Sequence, residues 1–497
     1  MAENLLAMER IMRDVLTCLP APPSPAAGGS RPSPSIHRGG GGGGGEDRIS
    51  RLPDALLSNI VAPLPTKDAV RTAALSRLWS RVWASAQLVL DDTDVLLTLP
   101  SRHGRGDLDW LGTTDAVSRV IGAQRGPIRY VRLTCCHMET VARMGLLGYW
   151  LHRFAAGGAE ELVLVNRPHP RALLLPAADV LRIASLRTLY LGFWAFPDTA
   201  GLPRGPGVFP RLQEIGLCHV FIHHTVVDHL LACSPVLQKL AIVATCYNDG
   251  HFRIRSRSLQ CLVFWKSRAD ALEVAVAPRL QRLILWERTT DSGFRIRVRI
   301  GHPTGLKVLG YLQPGIHELE IGGTIIEWNK DDPIPSTMIP SVKILALKVP
   351  FGIRKEAKML PNFLRCFPNV ETLHVLSHEA DEPTGKLNLK FWQEVGPIDC
   401  LDTHITKVVF DKFRGERYEF AFLKFILERA QSLLKLVVVL ANGDQALVDE
   451  MLIKLKPLTT AKPASECPTL LAVARDGDSA WCFQRASDLS VSDPFDW

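Results

Sequence analysis

One short apolar pattern recurs along most of this 497-residue chain: an apolar residue, two variable positions, a second apolar residue, one variable position and a third apolar residue. It stands as Leu186-Arg187-Thr188-Leu189-Tyr190-Leu191, and again at Leu212 to Leu217, Leu237 to Ile242, Leu259 to Phe264 and Leu280 to Leu285. The anchors Leu186, Leu212, Leu237, Leu259, Leu280 and Leu306 follow one another at intervals of 26, 25, 22, 21 and 26 residues. Earlier copies read as Ile128-Val131-Leu133 and Ala159-Leu162-Leu164. Later ones read as Val342-Leu345-Leu347, Val370-Leu373-Val375, Ile405-Val408-Phe410 and Leu433-Leu436-Val438. A single copy offers one apolar side and cannot close a core, so the copies must stack and bury that side against their neighbours.

A period in the twenties with this core is the signature of leucine-rich repeats, in which each copy gives one strand to a parallel sheet and returns by a helix or loop. The return segments fit. From Thr225 to Ser234, Val226, Val227, Leu230 and Leu231 fall at helical spacing, Pro235 ends the run, and Leu237 opens the next strand; Met359 to Phe367 and Phe420 to Ala430 repeat the arrangement. A doubly wound α/β domain would not hold the interval so steadily. Regular repeats often place Asn or Cys after the third apolar residue, where it ladders the turns. Here those positions are Trp194, Val220, Thr245, Ser267 and Arg288. The expectation is a mixed α/β fold whose repeats, over 110–390, form an irregular solenoid with a parallel sheet.

Ahead of the repeats, Glu46 to Ser85 carries apolar residues where three very short helices need them. Pro53 suits the first position of one helix, and Leu56, Leu57, Ile60 and Val61 then share a face. Pro63 and Pro65 stop it. Thr66 can cap a second helix with Ala69, Val70 and Ala73 inward, and Ser76 a third that presents Trp79, Val82 and Trp83. A unit this small buries too little surface to be comfortably stable alone, and tryptophan is enriched among interface anchors, so a partner is expected.

These residues resemble the F-box of plant F-box proteins. The match rests on Leu52-Pro53-Asp54-Ala55-Leu56-Leu57, on Leu64-Pro65-Thr66-Lys67-Asp68-Ala69-Val70, and on Leu75-Ser76 followed by Trp79 and Trp83. Leu78 departs from a usually basic position, and Pro63 stiffens a normally less rigid stretch; neither removes an apolar anchor. The resemblance implies an F-box over 46–86 that binds a Skp-type adaptor and, through it, a cullin scaffold of the ubiquitin-transfer machinery. The implied contacts are Leu52, Pro53, Leu56, Leu57, Ile60, Leu64, Pro65, Val70, Leu75, Trp79 and Trp83. The alternative is an ordinary helical subdomain packed on its own chain.

Farther on, Cys400 to Phe410, then Phe413-Arg414-Gly415, a helix from Glu419 and a strand from Leu433 to Leu440 resemble the FBD module that accompanies F-boxes and repeats in plant proteins, with Phe391-Trp392 and Pro397 upstream. Over 391–440 it is read as a cap, since a terminal repeat left open exposes an apolar face and a strand edge. Residues 441–497 match nothing. At the other end, 1–45 reads as a disordered, flexible leader: Met1 to Leu19 is at most a short amphipathic helix, and Pro20 to Gly45 is Pro-, Ser- and Gly-rich with almost nothing to bury. The seven glycines Gly39 to Gly45 lack the Gly-Lys-Ser/Thr of a phosphate loop.

Composition narrows the class further. With 46% hydrophobic and 22% charged residues the balance is that of a soluble globular protein. A net charge of +7, from 58 basic and 51 acidic residues, is too mild to indicate nucleic acid. Eleven cysteines include no C-x-x-C pair and read as reduced thiols of a cytoplasmic or nuclear protein. No run reaches the roughly 18 apolar residues of a membrane span. There is no G-x-S-x-G, H-E-x-x-H, dinucleotide or kinase pattern, so neither an enzyme nor a cofactor is expected. His219, His223, His224 and His229, beside Cys218 and Cys233, match no zinc spacing.

Two arginine alternations remain, Arg253, Arg255, Arg257 and Arg295, Arg297, Arg299. On strands each triplet shares a face. The simpler reading is a solvated outer face; as two adjacent basic rows they would suit an acidic or phosphorylated partner. The leading reading is a non-catalytic substrate-recognition subunit of a Skp–cullin–F-box ubiquitin ligase, holding an unidentified target protein on its repeats. The alternative is a leucine-rich-repeat protein-binding scaffold outside any ligase.

Overall fold

The computed structural model of the chain describes residues 2–22, 48–96, 109–138, 140–167, 173–245, 250–267, 269–286, 295–301, 304–326, 337–379, 389–441, 445–460, 464, 468–474 and 481–496. Most of the expected flexible leader, including Gly39 to Gly45, lies outside the described residues, as do Cys246, Arg288 and Cys467. The chain forms two compact units, residues 1–222 with 232–236, and residues 223–231 with 237–497.

In the first unit, α1 (Ala2–Cys18) precedes three short helices, α2 (Asp54–Val61), α3 (Thr66–Ala73) and α4 (Arg77–Ser85). Then come β1 (Leu88–Asp91), α5 (Trp110–Ala123), β2 (Ile128–Leu133), α6 (Val141–Ala156), β3 (Glu161–Val165), β4 (Leu173–Leu174), α7 (Ala177–Val180), β5 (Thr188–Gly192), β6 (Trp194–Ala195) and β7 (Glu214–Cys218). The sheet runs β1-β2-β3-β5-β7, every pair parallel. Strands β2, β3, β5 and β7 are the repeats read from the leucine pattern; β1 precedes them with only Leu88 and Leu90 to mark it. Helix α6 buries Leu147, Trp150, Leu151 and Phe154, a stripe at helical spacing. The short β4–β6 pair stands apart from that sheet.

Helix α1 is more than a loose leader. Its end buries Val15 and Cys18, with Leu19 just beyond, and Arg132 of β2 donates to the Pro20 carbonyl at 2.7 Å. Tyr190 is buried in β5 and donates to Glu214 of β7. The Tyr190 ring also lies against Gly216, where any β-carbon would overlap it.

Helix α8 (His224–Cys233) forms over the span that the apolar spacing predicts. The second unit then runs β8 (Lys239–Val243), β9 (His251–Arg255), β10 (Cys261–Trp265), β11 (Ala271–Val276), β12 (Arg282–Trp286), β13 (Ile296–Ile300), β14 (Val308–Leu312), β15 (His317–Ile321), β16 (Thr324–Ile325) and β17 (Ile344–Val349). Helices return with α9 (Arg354–Ala357) and α10 (Leu360–Arg365), then β18 (Thr372–Ser377), α11 (Leu389–Glu394), β19 (Lys407–Phe413), α12 (Arg417–Arg429) and β20 (Lys435–Leu440). The chain closes with α13 (Gln445–Thr460), β21 (Thr469–Val473) and α14 (Phe483–Ser487). Its main sheet is β8-β10-β12-β14-β17-β18-β19-β20-β21, again all parallel.

One departure from the expected return by helix or loop is instructive. Between β8 and β17 the returns are strands, and β9, β11, β13 and β15 build a second sheet, closed by the antiparallel β16. A five-residue strand spans about 16 Å, a depth for which a helix needs about eleven residues, so the repeats of 22 and 21 residues that hold β9 and β11 favour strands, and β13 and β15 then extend the sheet those two begin. Phe252 and Ile254, Leu272 and Val274, Ile296 and Val298, and Leu319 and Ile321 alternate inward. Phe252 meets Phe264 of β10 edge-to-face at 5.6 Å, which joins the two sheets over one core.

Candidate functional site

The three helices expected to dock a partner are each set by their first residues. Pro53 and Pro65 precede α2 and α3, and the Ser76 hydroxyl accepts from Trp79 N at 3.3 Å to cap α4. Inside the bundle lie Leu57, Val61, Ala69, Trp79, Val82 and Trp83. Outside, Ile49, Leu52, Leu56 and Ile60 form a stripe along α2 and the turn before it, 57%, 37%, 50% and 43% exposed, and Leu75 adds 69%. Pro53 and Pro65 are exposed, and Leu64 and Val70 half-buried.

Three of the expected adaptor contacts are therefore core residues of the isolated chain. Leu57 is fully buried, Trp79 is 9% and Trp83 is 6% exposed. The Trp79 indole N–H donates to Ser50 Oγ at 3.1 Å. Trp83 and Val70 line a cavity of about 440 Å³ together with Ala116, Val120 and Ala123 of α5. The physical reason is size: in helices of eight or nine residues the tryptophans supply most of the area that can be buried at all.

The bundle is clamped to the first repeat. Thr66 does not cap α3 as the sequence suggests; its hydroxyl donates to Val89 O of β1 and accepts from Asp91 N, both at 2.9 Å, while its N–H donates to Asp94 at 2.9 Å. Arg125 N and Gly126 N donate to Ala84 O, at the end of α4, at 2.8 and 2.9 Å. Gly126 has no room for a β-carbon beneath the Ser85 and Ala86 carbonyls. Behind this joint the fully buried Asp92 receives the backbone N–H groups of Thr134, Cys135 and Cys136 on one carboxylate oxygen at 2.8, 2.6 and 3.0 Å. Burial pushes the Asp92 carboxyl up, and those hydrogen bonds pull the other way. Burial also raises Asp94, against its bonds to Thr66. Nothing in the sequence flagged Asp92: it stands among Asp91, Asp92 and Asp94, and their spacing does not say which one is fully buried.

Beside it, burial pushes the Cys135 thiol up to about 11 and Cys136 well above its ordinary value. Both shifts favour the neutral thiol, the reverse of the lowered pKa that activates a cysteine nucleophile. Every described cysteine is a free thiol.

The arginine rows are corrected in one respect: they are not adjacent. β11 separates β9 from β13, and glutamates stand in register between and beyond them. Arg253 pairs with Glu273 at 3.2 Å, Arg297 with Glu318 at 2.6 Å and Arg299 with Glu320 at 2.8 Å. Arg255 ends β9, Arg257 lies in the bend beyond it, and Arg295 precedes β13; all three are exposed. The surface is a ladder of mixed charge, which does not make the continuous basic field an anionic partner would need.

Helices clamped at the start of a parallel strand-repeat sheet, with an outward apolar stripe and an inward tryptophan pair, define a leucine-rich-repeat protein bearing a small helical module. Comparison with known families agrees along the chain. The F-box domain matches residues 49–90, the model described as "FBD-associated F-box protein At5g56370, LRR repeats" matches 147–375, and the FBD matches 393–438. The chain therefore carries an F-box domain, leucine-rich repeats and a carboxyl-terminal FBD, and its relatives are F-box/FBD/LRR-repeat proteins of Arabidopsis thaliana. It is similar to the F-box/FBD/LRR-repeat protein At3g14710 of Arabidopsis thaliana, 23% identical over 420 residues that span 78% of this chain and 87% of the relative. F-box/LRR-repeat protein 13 of the same plant is 23% identical over 451 residues, 82% of this chain and 93% of the relative. None of the matched families is catalytic, and no helix among the described residues is long and apolar enough to cross a membrane.

Proposed function

We propose that this chain is the substrate-recognition subunit of a Skp–cullin–F-box ubiquitin ligase, acting in the cytoplasm or nucleus. The observation that carries the reading is the outward stripe of Ile49, Leu52, Leu56, Ile60 and Leu75 on a module whose own core is already complete. Five large apolar side chains on so small a surface favour coverage by another protein. On this account Leu52, Pro53, Leu56, Ile60, Pro65 and Leu75 meet the adaptor directly, with Leu64 and Val70 at the margin. Leu57, Trp79 and Trp83 hold the shape that presents them.

The clamp onto β1 then has a mechanical role. An adaptor seated on α2 is tied to the first repeats through Thr66, Asp91 and Asp92 rather than through a free linker. The chain performs no bond-making step; it holds a target near the transfer machinery and raises its effective concentration there.

The test is capture of a Skp-type adaptor by the full chain and by a Leu56→Asp, Leu75→Asp variant. Both positions are exposed, so folding is expected to be unchanged while capture falls by about 100-fold, the loss of two anchors at roughly 1–2 kcal/mol each or more. Unchanged capture by a folded variant would sink the docking assignment. Adaptor capture without ubiquitin transfer to any co-purifying protein, once cullin and conjugating enzyme are supplied, would leave a scaffold in place of a ligase subunit.

A further inference from the structure

The last described segment, residues 481–496, lies on the second unit's own repeat surface. Along β8, β10 and β12 the leucine positions Leu240, Leu262 and Leu283 turn into the core, and the alternate residues form the opposite face. Register aligns that face into rows, with Lys239, Cys261 and Arg282 abreast near the strand starts and Trp265 beside Trp286 at the ends.

The segment meets this face with matching chemistry. Helix α14 ends over Arg282, whose guanidinium donates to the carbonyls of Ala486 at 3.1 Å, Asp488 at 2.7 Å and Val491. Asp493 pairs with His374 of β18 at 2.9 Å, and Asp496 with Lys407 of β19 at 2.5 Å. Trp481 sits among Trp265, Trp286 and Tyr311 with ring centroids 5.7, 5.9 and 5.5 Å away. Phe495 meets Tyr311 at 5.0 Å, and the Lys239 ammonium lies 5.6 Å over Phe483. Phe483 and Phe495 are each 3% exposed.

This contact is built like a bound peptide rather than like another repeat. Sheet side chains reach out to the segment's carboxylates and carbonyls, and its rings drop between sheet rings. It is also not the best occupant Arg282 could have. The guanidinium is desolvated, 4% exposed, and its Nε has no partner among the described residues. A carboxylate would take Nε and one Nη together, a bidentate pair that backbone carbonyls do not supply.

We propose that this face is the lane on which the repeats bind their target, that its ligand is a peptide segment carrying aromatic side chains flanked by carboxylates, and that residues 481–496 are a tethered occupant which such a segment displaces. The inference rests on the reading above that the repeats hold a target protein. A tether gives the segment an effective concentration of about millimolar, so an incoming ligand must exceed its affinity, and the Arg282 carboxylate contact is where it can.

The test uses the full chain without adaptor, so its outcome is independent of the docking assignment. A fluorescein-labelled peptide of residues 481–497 is titrated into wild type and into a Phe483→Ala, Phe495→Ala variant. The variant, its tethered copy weakened, is expected to bind the peptide at least about tenfold more tightly than wild type. Adding Arg282→Ala should remove that gain. Equal binding to both folded chains, or binding to neither, overturns the proposal. If the variant does not fold, amide exchange on wild type decides. Amides of 482–496 exchanging about 100-fold faster than those of β10 and β12 support a displaceable segment, and equal protection makes it a permanent part of the core.

Discussion

Replacing Asp92 by Ala is expected to destabilise the first unit by about 3–5 kcal/mol, because each buried donor left without its acceptor costs about 1–3 kcal/mol. Three backbone N–H groups, of Thr134, Cys135 and Cys136, converge on one of its oxygens in a site closed to water. Asp92→Asn is the control. It can keep an oxygen toward those three donors while losing the charge, so its cost should be clearly smaller. Amide exchange in β1 and β2 reads the effect where it arises, and adaptor capture should fall in parallel, since the same joint carries the helical module. A loss under about 1 kcal/mol for the alanine variant would mean that the turn after β2 finds other acceptors and the joint is not built on Asp92.

The strands show what the sequence carried and where it stopped. All twelve copies of the leucine pattern, from Ile128 to Leu433, are strands of the parallel sheets, because the pattern encodes a purely local rule: which residues of a short strand face the core. The return strands obey an equally local rule, and the Arg-Ile alternations at 253–257 and 295–299 are legible as strands. Their partners were not. Whether Arg253 faces another arginine or Glu273 depends on which strand lies between β9 and β13, and that is a property of the assembled sheet.

The same limit separates Leu56 from Leu57. Adjacent in sequence and identical in chemistry, they lie on opposite sides of α2, one half exposed and one fully buried, according to where α4 packs. The closing segment was silent for a different reason. From Trp481 to Asp496 its apolar residues follow neither a helical nor a strand period, since their positions are set by the surface they lie on.

Trp392→Ala is expected to destabilise the FBD by about 3–5 kcal/mol, the cost of emptying a buried aromatic site. Trp392 is 1% exposed, and its ring meets Phe391, Phe422 and Phe425 with centroids 5.0, 5.2 and 5.0 Å apart. Those contacts join α11 to α12, whose Glu416 and Glu419 form a capping box and whose Glu419 accepts from Ser377 at the end of β18. Loosening the ring therefore loosens the helix that covers β18 and β19. Trp392→Phe separates packing from polarity. The indole N–H has no partner among the described residues, so phenylalanine forfeits area but no hydrogen bond, and it should cost about 1–2 kcal/mol. Urea unfolding of the three chains gives the comparison. Equal losses for alanine and phenylalanine would show that the indole is held by a polar contact, whereas a small loss for both would show that α11 is peripheral to the packing of α12. Because β18 and β19 also present His374 and Lys407 to Asp493 and Asp496, the alanine variant should loosen the closing segment as well, and its amides should exchange faster than in the phenylalanine variant.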